Sequence, residues 1–308
     1  MPAVGSLQCV VAWSGGLDST VLLHLLWRAA RLPGARLTLR AVHVDHGLQP
    51  AAVGFRRFCQ RAARRWRIPL QVVRSEVRPQ PGDSIEESAR RGRQLALAGA
   101  LRPGELLVTA QHADDQLETL LLALLRGAGP AGLAGMPGRM PFAGSWLLRP
   151  LLCAQREAVA AYAREQALEW SEDPTNSQPR FDRNYLRAAV LPVLKSRWPA
   201  AARTALRSAR HSAAAAAAVA EAAARDLDAA ADGADIEVAV LRRFSAPRRA
   251  ALLRLWLARA GLRAPNERHL AQIETMMAAR VDAHPLLQLP DGDIRRAHGR
   301  LCVLRKRG

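Results

Sequence analysis

The residues best equipped for chemistry are Ser14-Gly15-Gly16-Leu17-Asp18-Ser19-Thr20. Two adjacent glycines let successive backbone N–H groups converge on an anion, and the start of a following helix adds positive potential. Ser14, Ser19 and Thr20 supply hydroxyl donors. Ser-Gly-Gly alone favours an ordinary helix-capping turn, since Ser and Asp are good caps. The full heptad between a strand and a helix favours a phosphate site instead. The pattern G-x-x-x-x-G-K-[ST] is absent, so no lysine reaches for a γ-phosphate, and G-x-G-x-x-G is absent at this turn. That points away from phosphoryl transfer and towards chemistry in which pyrophosphate is held and released.

A second constellation, Gln111 to Thr119, opens the helix after the fourth strand. Asp115 and Glu118 stand three apart, share a helical face and form a clamp for a cationic amine, leaving Asp114 to point towards Mg2+ or nucleotide. The competing reading is an acid-rich first turn stabilised by the helix dipole. His112 taken alone is more often a structural histidine than a proton carrier. A third segment, His43-Val44-Asp45-His46-Gly47-Leu48, ends the second strand, where nucleotides commonly place their adenosine. Two histidines with no third ligand nearby favour loop shaping and adenosine contacts over zinc.

These segments need a scaffold that brings strand ends together. Strands are expected at Leu7–Trp13, Leu37–Val44, Leu70–Arg74, Glu105–Ala110 and Trp146–Leu148. They alternate with helices at Ser19–Ala30, Phe55–Trp66, Asp83 or Ser84 to Leu101, Asp114–Leu125 and Gln155–Ala167. Such alternation requires an α/β fold with a doubly wound, mostly parallel sheet, Rossmann-like, whose ligands lie beyond the carboxyl ends of the strands. Alternation stops near residue 200, where an alanine-rich stretch, Ala201–Ala231, predicts a long helix. Helices at Pro247–Ala260 and Pro265–Ala279 and a strand-like end at Ile294–Leu304 complete a smaller, mainly helical domain. The expected domains are 1–199, catalytic, and 200–308, helical.

Together these segments resemble the tRNA(Ile)-lysidine synthetases, members of the N-type ATP pyrophosphatase (PP-loop) group. The resemblance rests on Ser14–Thr20, His43–Leu48, Ser84–Arg93, Gln111–Thr119, Gly132–Met136, Arg149–Leu152, Glu172–Asn176 and Arg183–Arg187, in order through most of the first 200 residues. It implies a bacterial, cytoplasmic ligase. ATP adenylates the C2 carbonyl oxygen of the wobble cytidine in the CAU anticodon of tRNA(Ile), pyrophosphate leaves, and the ε-amine of free lysine displaces AMP. By this resemblance Ser14, Gly15, Gly16, Leu17, Asp18 and Ser19 hold ATP, with His43 and Asp45 at the adenosine. Asp18, with Asp114, holds Mg2+, and Asp115 and Glu118 receive lysine. Asp18, Asp115 and Glu118 form the catalytic set. Arg149, Arg183 and Arg187 contact tRNA or the adenylate, unless each is a surface ion-pair partner. Longer members carry a further C-terminal domain, so either the helical domain here is expected to do more of the tRNA discrimination or discrimination is arranged differently. Leu48 is followed by Gln49, where members often carry arginine.

Charge agrees with a polyanionic partner: 45 basic against 27 acidic residues give +18 and a pI near 11.4. Only Lys195 and Lys306 are lysines; arginine, the rest, suits bidentate phosphate contacts. Heavy Arg and Ala use also reads as genomic composition bias. Cys9, Cys59, Cys153 and Cys302 lie far apart without a C-x-x-C pair, which argues against zinc ribbons, clusters and disulfide scaffolds. No signal peptide or membrane span is expected. Two rivals stay open: a tRNA thiolase of the same group, kept alive by Cys153, and a non-catalytic RNA-binding protein. A homodimer is left open as well.

Overall fold

The computed structural model describes residues 6–45, 51–75, 85–172, 181–280 and 283–305. His46, Gly47, Leu48, Ser84 and the Asp173–Asn176 part of the motifs lie outside them. The chain divides into two compact units, 1–211 and 212–308.

The first unit opens with β1 (Leu7–Ala12), α1 (Leu17–Ala29), β2 (Leu37–Asp45), α2 (Ala51–Trp66), β3 (Leu70–Arg74), α3 (Ile85–Ala100), β4 (Leu106–Val108) and α4 (Ala113–Leu125). There follow α5 (Pro130–Leu133), β5 (Arg139–Phe142), β6 (Ser145–Leu148) and α6 (Arg156–Glu165). The sheet order is β3-β2-β1-β4-β6-β5, parallel except for the edge pair β5–β6. The edge strand β5 precedes the expected strand at Trp146–Leu148 and was not expected from the sequence, because four residues are too few to show a period.

Period-two alternation explains the layers. Cys9, Val11 and Ala41 join the core with Leu22 and Leu23 of α1, Cys59 and Ala63 of α2, and Val159 and Ala163 of α6. Val10, Val42 and Leu107 face the other way, onto Leu97 and Ala100 of α3. Side chains such as Val11, Leu23 and Leu107, at 0% exposure, each contribute about 1.5–3 kcal/mol by leaving water. The chain leaves β1 towards β2 and later returns to β4 on its other side, which makes the crevice beyond β1 and β4 the topological switch point. The loops at that crevice are the two chemically equipped segments.

After α6 come α7 (Asp182–Tyr185), a π-helical turn at Leu186–Val190, α8 (Leu191–Arg197) and the 30-residue α9 (Ala201–Ala230). The division between units falls inside α9, after His211, rather than near Pro199. The cause is packing: Ala201, Ala202 and Ala205 belong to one apolar cluster with Ala113, Leu117 and Leu191. Alanine's small side chain lets this helix approach closely.

The second unit carries α10 (Val238–Leu241), α11 (Ala246–Arg259) and α12 (Glu267–Ala278) with β7 (Ala231–Asp232), β8 (Asp235–Glu237), β9 (Leu286–Gln288), β10 (Gly292–Ala297) and β11 (Arg300–Arg305). Its strands form an antiparallel sheet in the order β7-β8-β11-β10-β9, so the strand-like end is two strands of five. Ile236, Leu252, Leu253, Leu257, Ile273, Ile294 and Leu301 form its separate core.

Candidate active site

The loop between β1 and α1 is held open by backbone geometry. Gly15 has φ +88°, a region that a Cβ makes costly, and a Cβ there would stand 3.0 Å from the Cys59 Sγ. Gly16 starts α1 without a side-chain cap, so the helix N-terminus keeps free donors for a ligand. Ser14 and Ser19 share a hydroxyl hydrogen bond of 2.9 Å, the Gly16 N–H donates to the Ser14 Oγ at 3.2 Å, and the Ser19 Oγ donates to the Gly16 carbonyl at 3.1 Å. Behind the loop, the Trp13 indole donates to the Thr20 hydroxyl at 3.0 Å, and the Ser171 N–H donates to the Gly15 carbonyl at 2.9 Å. Thr20 is thereby a structural partner of Trp13.

Across the crevice, His112 caps α4 in a reciprocal box. Its backbone N–H donates to the Asp115 carboxylate at 2.9 Å, and the Asp115 N–H points to the His112 Nδ1 at 3.4 Å. His112 Nε2 lies 3.7 Å from Asp18 and 3.5 Å from Asp115, tying the two loops together. Burial pushes His112 towards the neutral form, but Asp18, Asp115 and Asp114 outweigh it and hold its pKa above the ordinary value. The neutral ring keeps the Nδ1 cap; the imidazolium gives that cap up and turns Nδ1–H towards Asp114, 3.9 Å away.

The carboxylates divide in role. Asp114 is fully engaged: one oxygen accepts the Arg156 N–H at 2.9 Å and the other accepts Lys195, which also reaches Glu157 at 2.6 Å. Burial raises its pKa, yet Lys195 and the Arg156 N–H prevail and keep it ionised below the usual range. The Asp114 carboxylate that was expected to face Mg2+ is thus an anchor for α6 and α8. Asp115 and Glu118 do form a cation clamp, and Arg187 sits in it, at 2.7 Å from Asp115 and 2.5 Å from Glu118. The π-turn that carries Arg187 is a device often found at functional sites, because it re-aims side chains within a helix.

Two carboxylate oxygens in this cluster are buried and make no hydrogen bond with any described residue: Asp18 Oδ1 and Glu118 Oε2. Leaving such an atom unpaired costs on the order of 1–3 kcal/mol, so each is open to a partner that the described residues do not supply. Burial drives the Glu118 pKa up, past the opposing effect of Arg187, and the neighbouring Asp115 adds to the rise. Burial likewise raises Asp18, but His112, Arg156 and Arg187 together bring it below its ordinary range.

The remaining candidates surround this cluster. His43 is buried, donates through Nδ1 to the Trp13 carbonyl at 3.0 Å and is kept neutral chiefly by burial; Asp45, also buried, meets Arg56 at 3.5 Å. Among the described residues Arg149 makes no ion pair. It donates to the Pro137 carbonyl at 2.6 Å, and its buried Nε meets no acceptor among them; burial and then Arg90 lower its pKa. Arg183 lies close enough to act on Glu118 electrostatically. Among the described residues no group of three or more His, Cys, Asp or Glu side chains is placed to hold a metal ion.

The Gly132–Met136 segment is fastened to α4 by Gln116, which donates to the Met136 carbonyl at 3.3 Å and accepts the Met136 N–H at 2.8 Å. Gly135 has φ +63°, and a Cβ there would lie 2.4 Å from the Gln116 Nε2. Gly135→Ala is therefore expected to lower stability by about 2 kcal/mol, or roughly 4–8 °C in Tm for a unit of this size. Gly138→Ala, where nothing lies within 4 Å, is the control. Thermal melts within 1 °C of each other would contradict the assignment.

Comparison with known proteins accords with this geometry. Residues 3–194 match the PP-loop domain family, and residues 236–302 match the TilS substrate binding domain. The curated tRNA(Ile)-lysidine synthase of Methylococcus capsulatus is 44% identical over 299 residues, covering 96% of this chain and 67% of that protein. The chain belongs to the tRNA(Ile)-lysidine synthase family. The synthases of Alkalilimnicola ehrlichii and Pseudomonas aeruginosa are both 46% identical, with 94% and 96% of this chain and 65% and 68% of those proteins covered. The chain thus spans about two thirds of the length of these relatives. Among solved structures, the U34-tRNA thiolase NcsA of Methanococcus maripaludis with its [4Fe-4S] cluster superposes with TM-score 0.53 at 16% identity, over 67% of this chain and 72% of that one. That likeness shows the shared fold alone.

Within this synthase-family site, sequence reasoning missed Lys195 and the role of His112. Lys195 carried a signal, being one of two lysines in an arginine-rich chain. His112 did not, because its partner Asp18 is 94 positions away and no local pattern links the two.

Proposed function

We propose that this chain is the ATP-dependent ligase that makes lysidine in the CAU anticodon of tRNA(Ile). ATP adenylates the C2 carbonyl oxygen of the wobble cytidine with release of pyrophosphate, and the lysine ε-amine then attacks C2 and expels AMP. The observation that carries this reading is the pair of orphaned, buried oxygens, Asp18 Oδ1 and Glu118 Oε2, one beside the phosphate loop and one in a cation clamp.

In this reading Ser14, Gly15, Gly16, Leu17 and Ser19 bind and orient the ATP phosphates through hydroxyls and backbone N–H groups, as an anion nest requires. His43 and Asp45 shape the adenosine end. Asp18 fits as a carboxylate donor to Mg2+, which when bound to the phosphates neutralises charge on the leaving pyrophosphate. Asp114 is not assigned to the metal, because both its oxygens are taken.

The lysine ammonium is received by Asp115 and Glu118, with Glu118 Oε2 facing it and Arg187 withdrawing part of its contact. Glu118 takes the ammonium proton: its raised pKa makes it a stronger base than an ordinary carboxylate. Arg149, with an unbonded Nε and Arg90 nearby, and Arg183 hold anionic groups of the RNA or the adenylate. Among the described residues no helix is long and apolar enough to cross a membrane.

A thiolase reading has less support. Burial pushes the Cys9 and Cys59 thiols up to about 11 and about 12, far from the thiolate needed for sulfur chemistry, so of the first unit's cysteines only the exposed Cys153 is left to carry it.

The test is AMP and pyrophosphate formation with CAU-anticodon tRNA(Ile), Mg2+ and ATP, with and without lysine. Lysine-dependent AMP release with labelled lysine in the RNA is expected. RNA binding without ATP cleavage would sink the reading in favour of a binding protein, and sulfur incorporation in favour of the thiolase.

A further inference from the structure

A groove of about 550 Å³ lies in the first unit beside the phosphate loop, lined by Gly54, Phe58, Arg61, Leu168, Trp170 and Ser171, with Glu169 at its edge. It belongs to no part of the ATP or lysine machinery described above. Its position is fixed by two contacts with that loop. Ser171 donates its N–H to the Gly15 carbonyl, and Phe58 stands 3.4 Å from where a Gly15 Cβ would be.

The chemistry of the lining is mixed in a specific way. Phe58 and Leu168 are buried and make an apolar floor, and Trp170 is half-buried, leaving part of the indole open to a flat partner. Helix α2, which forms one wall, contains no acidic residue and carries Arg56, Arg57, Arg61, Arg64 and Arg65. Arg57, Arg61 and Arg64 follow the i, i+4, i+7 spacing of one helical face, are exposed, and make no ion pair with any described residue. The acid at the edge, Glu169, stands 3.8 Å from Arg65, with both side chains more than three-quarters exposed.

Uncompensated arginines on one face repel each other unless a polyanion runs along them. An aromatic platform with an apolar floor, flanked by such a stripe, is what single-stranded RNA uses when a base leaves its stack while its backbone is neutralised. We infer that this groove takes one unstacked base of the anticodon loop, stacked on Trp170, with the flanking phosphates tracked by Arg57, Arg61 and Arg64.

The inference rests on the RNA-ligase reading. It adds to that reading a second nucleotide subsite outside the reacting pocket. Glu169, whose contact with Arg65 is long and exposed, can still accept a hydrogen bond from an exocyclic amine, which gives the subsite a preference for a base with an amino group. Because α2 is packed on Gly15, RNA seated here also bears on the phosphate loop through Phe58.

The test is equilibrium binding of a CAU anticodon stem-loop RNA across a salt series, using the full chain and its variants Arg57→Ala/Arg61→Ala/Arg64→Ala and Trp170→Ala. The triple variant is expected to lose at least tenfold in affinity near 0.1 M salt and to reduce the slope of log K against log salt by about two. Trp170→Ala is expected to lose roughly tenfold and Trp170→Phe to recover most of it, with ATP binding kept in all and the melting temperature kept in the arginine variant and in Trp170→Phe.

If wild-type protein fails to bind the RNA, the ligase reading falls and the groove assignment with it. If wild type binds and the triple variant keeps its affinity and salt slope, the groove assignment alone is overturned. A concentration-dependent dimer that Trp170→Ala dissociates, with RNA affinity unchanged, would overturn it too and name a second copy of the chain as the occupant.

Discussion

Glu118→Gln is expected to uncouple the two halves of the reaction. Pyrophosphate release from ATP with tRNA should stay within about tenfold of wild type, while lysine transfer falls by about 10²–10⁴, the usual worth of a positioned general base. The amide keeps the shape of the side chain and its place beside Arg187, so the fold survives; what it loses is the ability to take a proton. The raised pKa of Glu118, caused first by its burial at 1% exposure, sets the direction of the pH effect. Lysine transfer should fall as pH drops through a value above the ordinary carboxylate range. That acid limb should be absent from the residual activity of the variant. Single-turnover measurements of pyrophosphate, AMP and labelled RNA check this. Equal loss in both half-reactions would move Glu118 to the adenylation step, and transfer within tenfold of wild type would remove it from the base role.

Removal of Arg187 should be the most destabilising single change in the site. Arg187→Ala leaves Asp115 and Glu118, at 13% and 1% side-chain exposure, facing each other without their cation. Breaking a buried pair from one side costs about 3–5 kcal/mol; because Arg187 itself is one-third exposed and partly screened, about 2–3 kcal/mol is expected here. For a unit of roughly 200 residues that is on the order of 5–10 °C in Tm. The cost comes from the stranded charges, so the double variant Arg187→Ala/Glu118→Gln should recover at least half of the loss. Melts of the four proteins form a double-mutant cycle. Additive losses would show that the two side chains act independently, and the clamp would have to be redrawn.

These two expectations rest on different depths of information. The phosphate loop was legible in the chain because its determinants are local. Gly15 needs a positive φ, Gly16 opens a helix, and Ser14 and Ser19 reach only a few residues along the backbone. The reciprocal cap of His112 and Asp115 also spans only three residues, but a histidine at that position carries no pattern that announces it. Asp115 and Glu118 could be recognised as a clamp because a three-residue spacing puts two carboxylates on one helical face whatever the rest of the chain does.

The occupant of that clamp was not legible. Arg187 comes from 69 residues beyond Glu118, and Lys195 from 81 residues beyond Asp114. Sequence reading left Asp114 facing Mg2+ or nucleotide and Arg187 either on the RNA or adenylate or in an ion pair; folding pairs both with charges of this chain. The division between units is a similar case: composition changes near residue 200, but alanines of α9 pack on α4, and the compact unit runs on to His211. What the sequence by itself determined is the set of groups and their local geometry, since sterics and hydrogen bonds act over a few residues. Only the tertiary structure decided which charges neutralise each other and which oxygens stay unpaired, because that depends on which distant segments the sheet and its helices bring within about 3 Å.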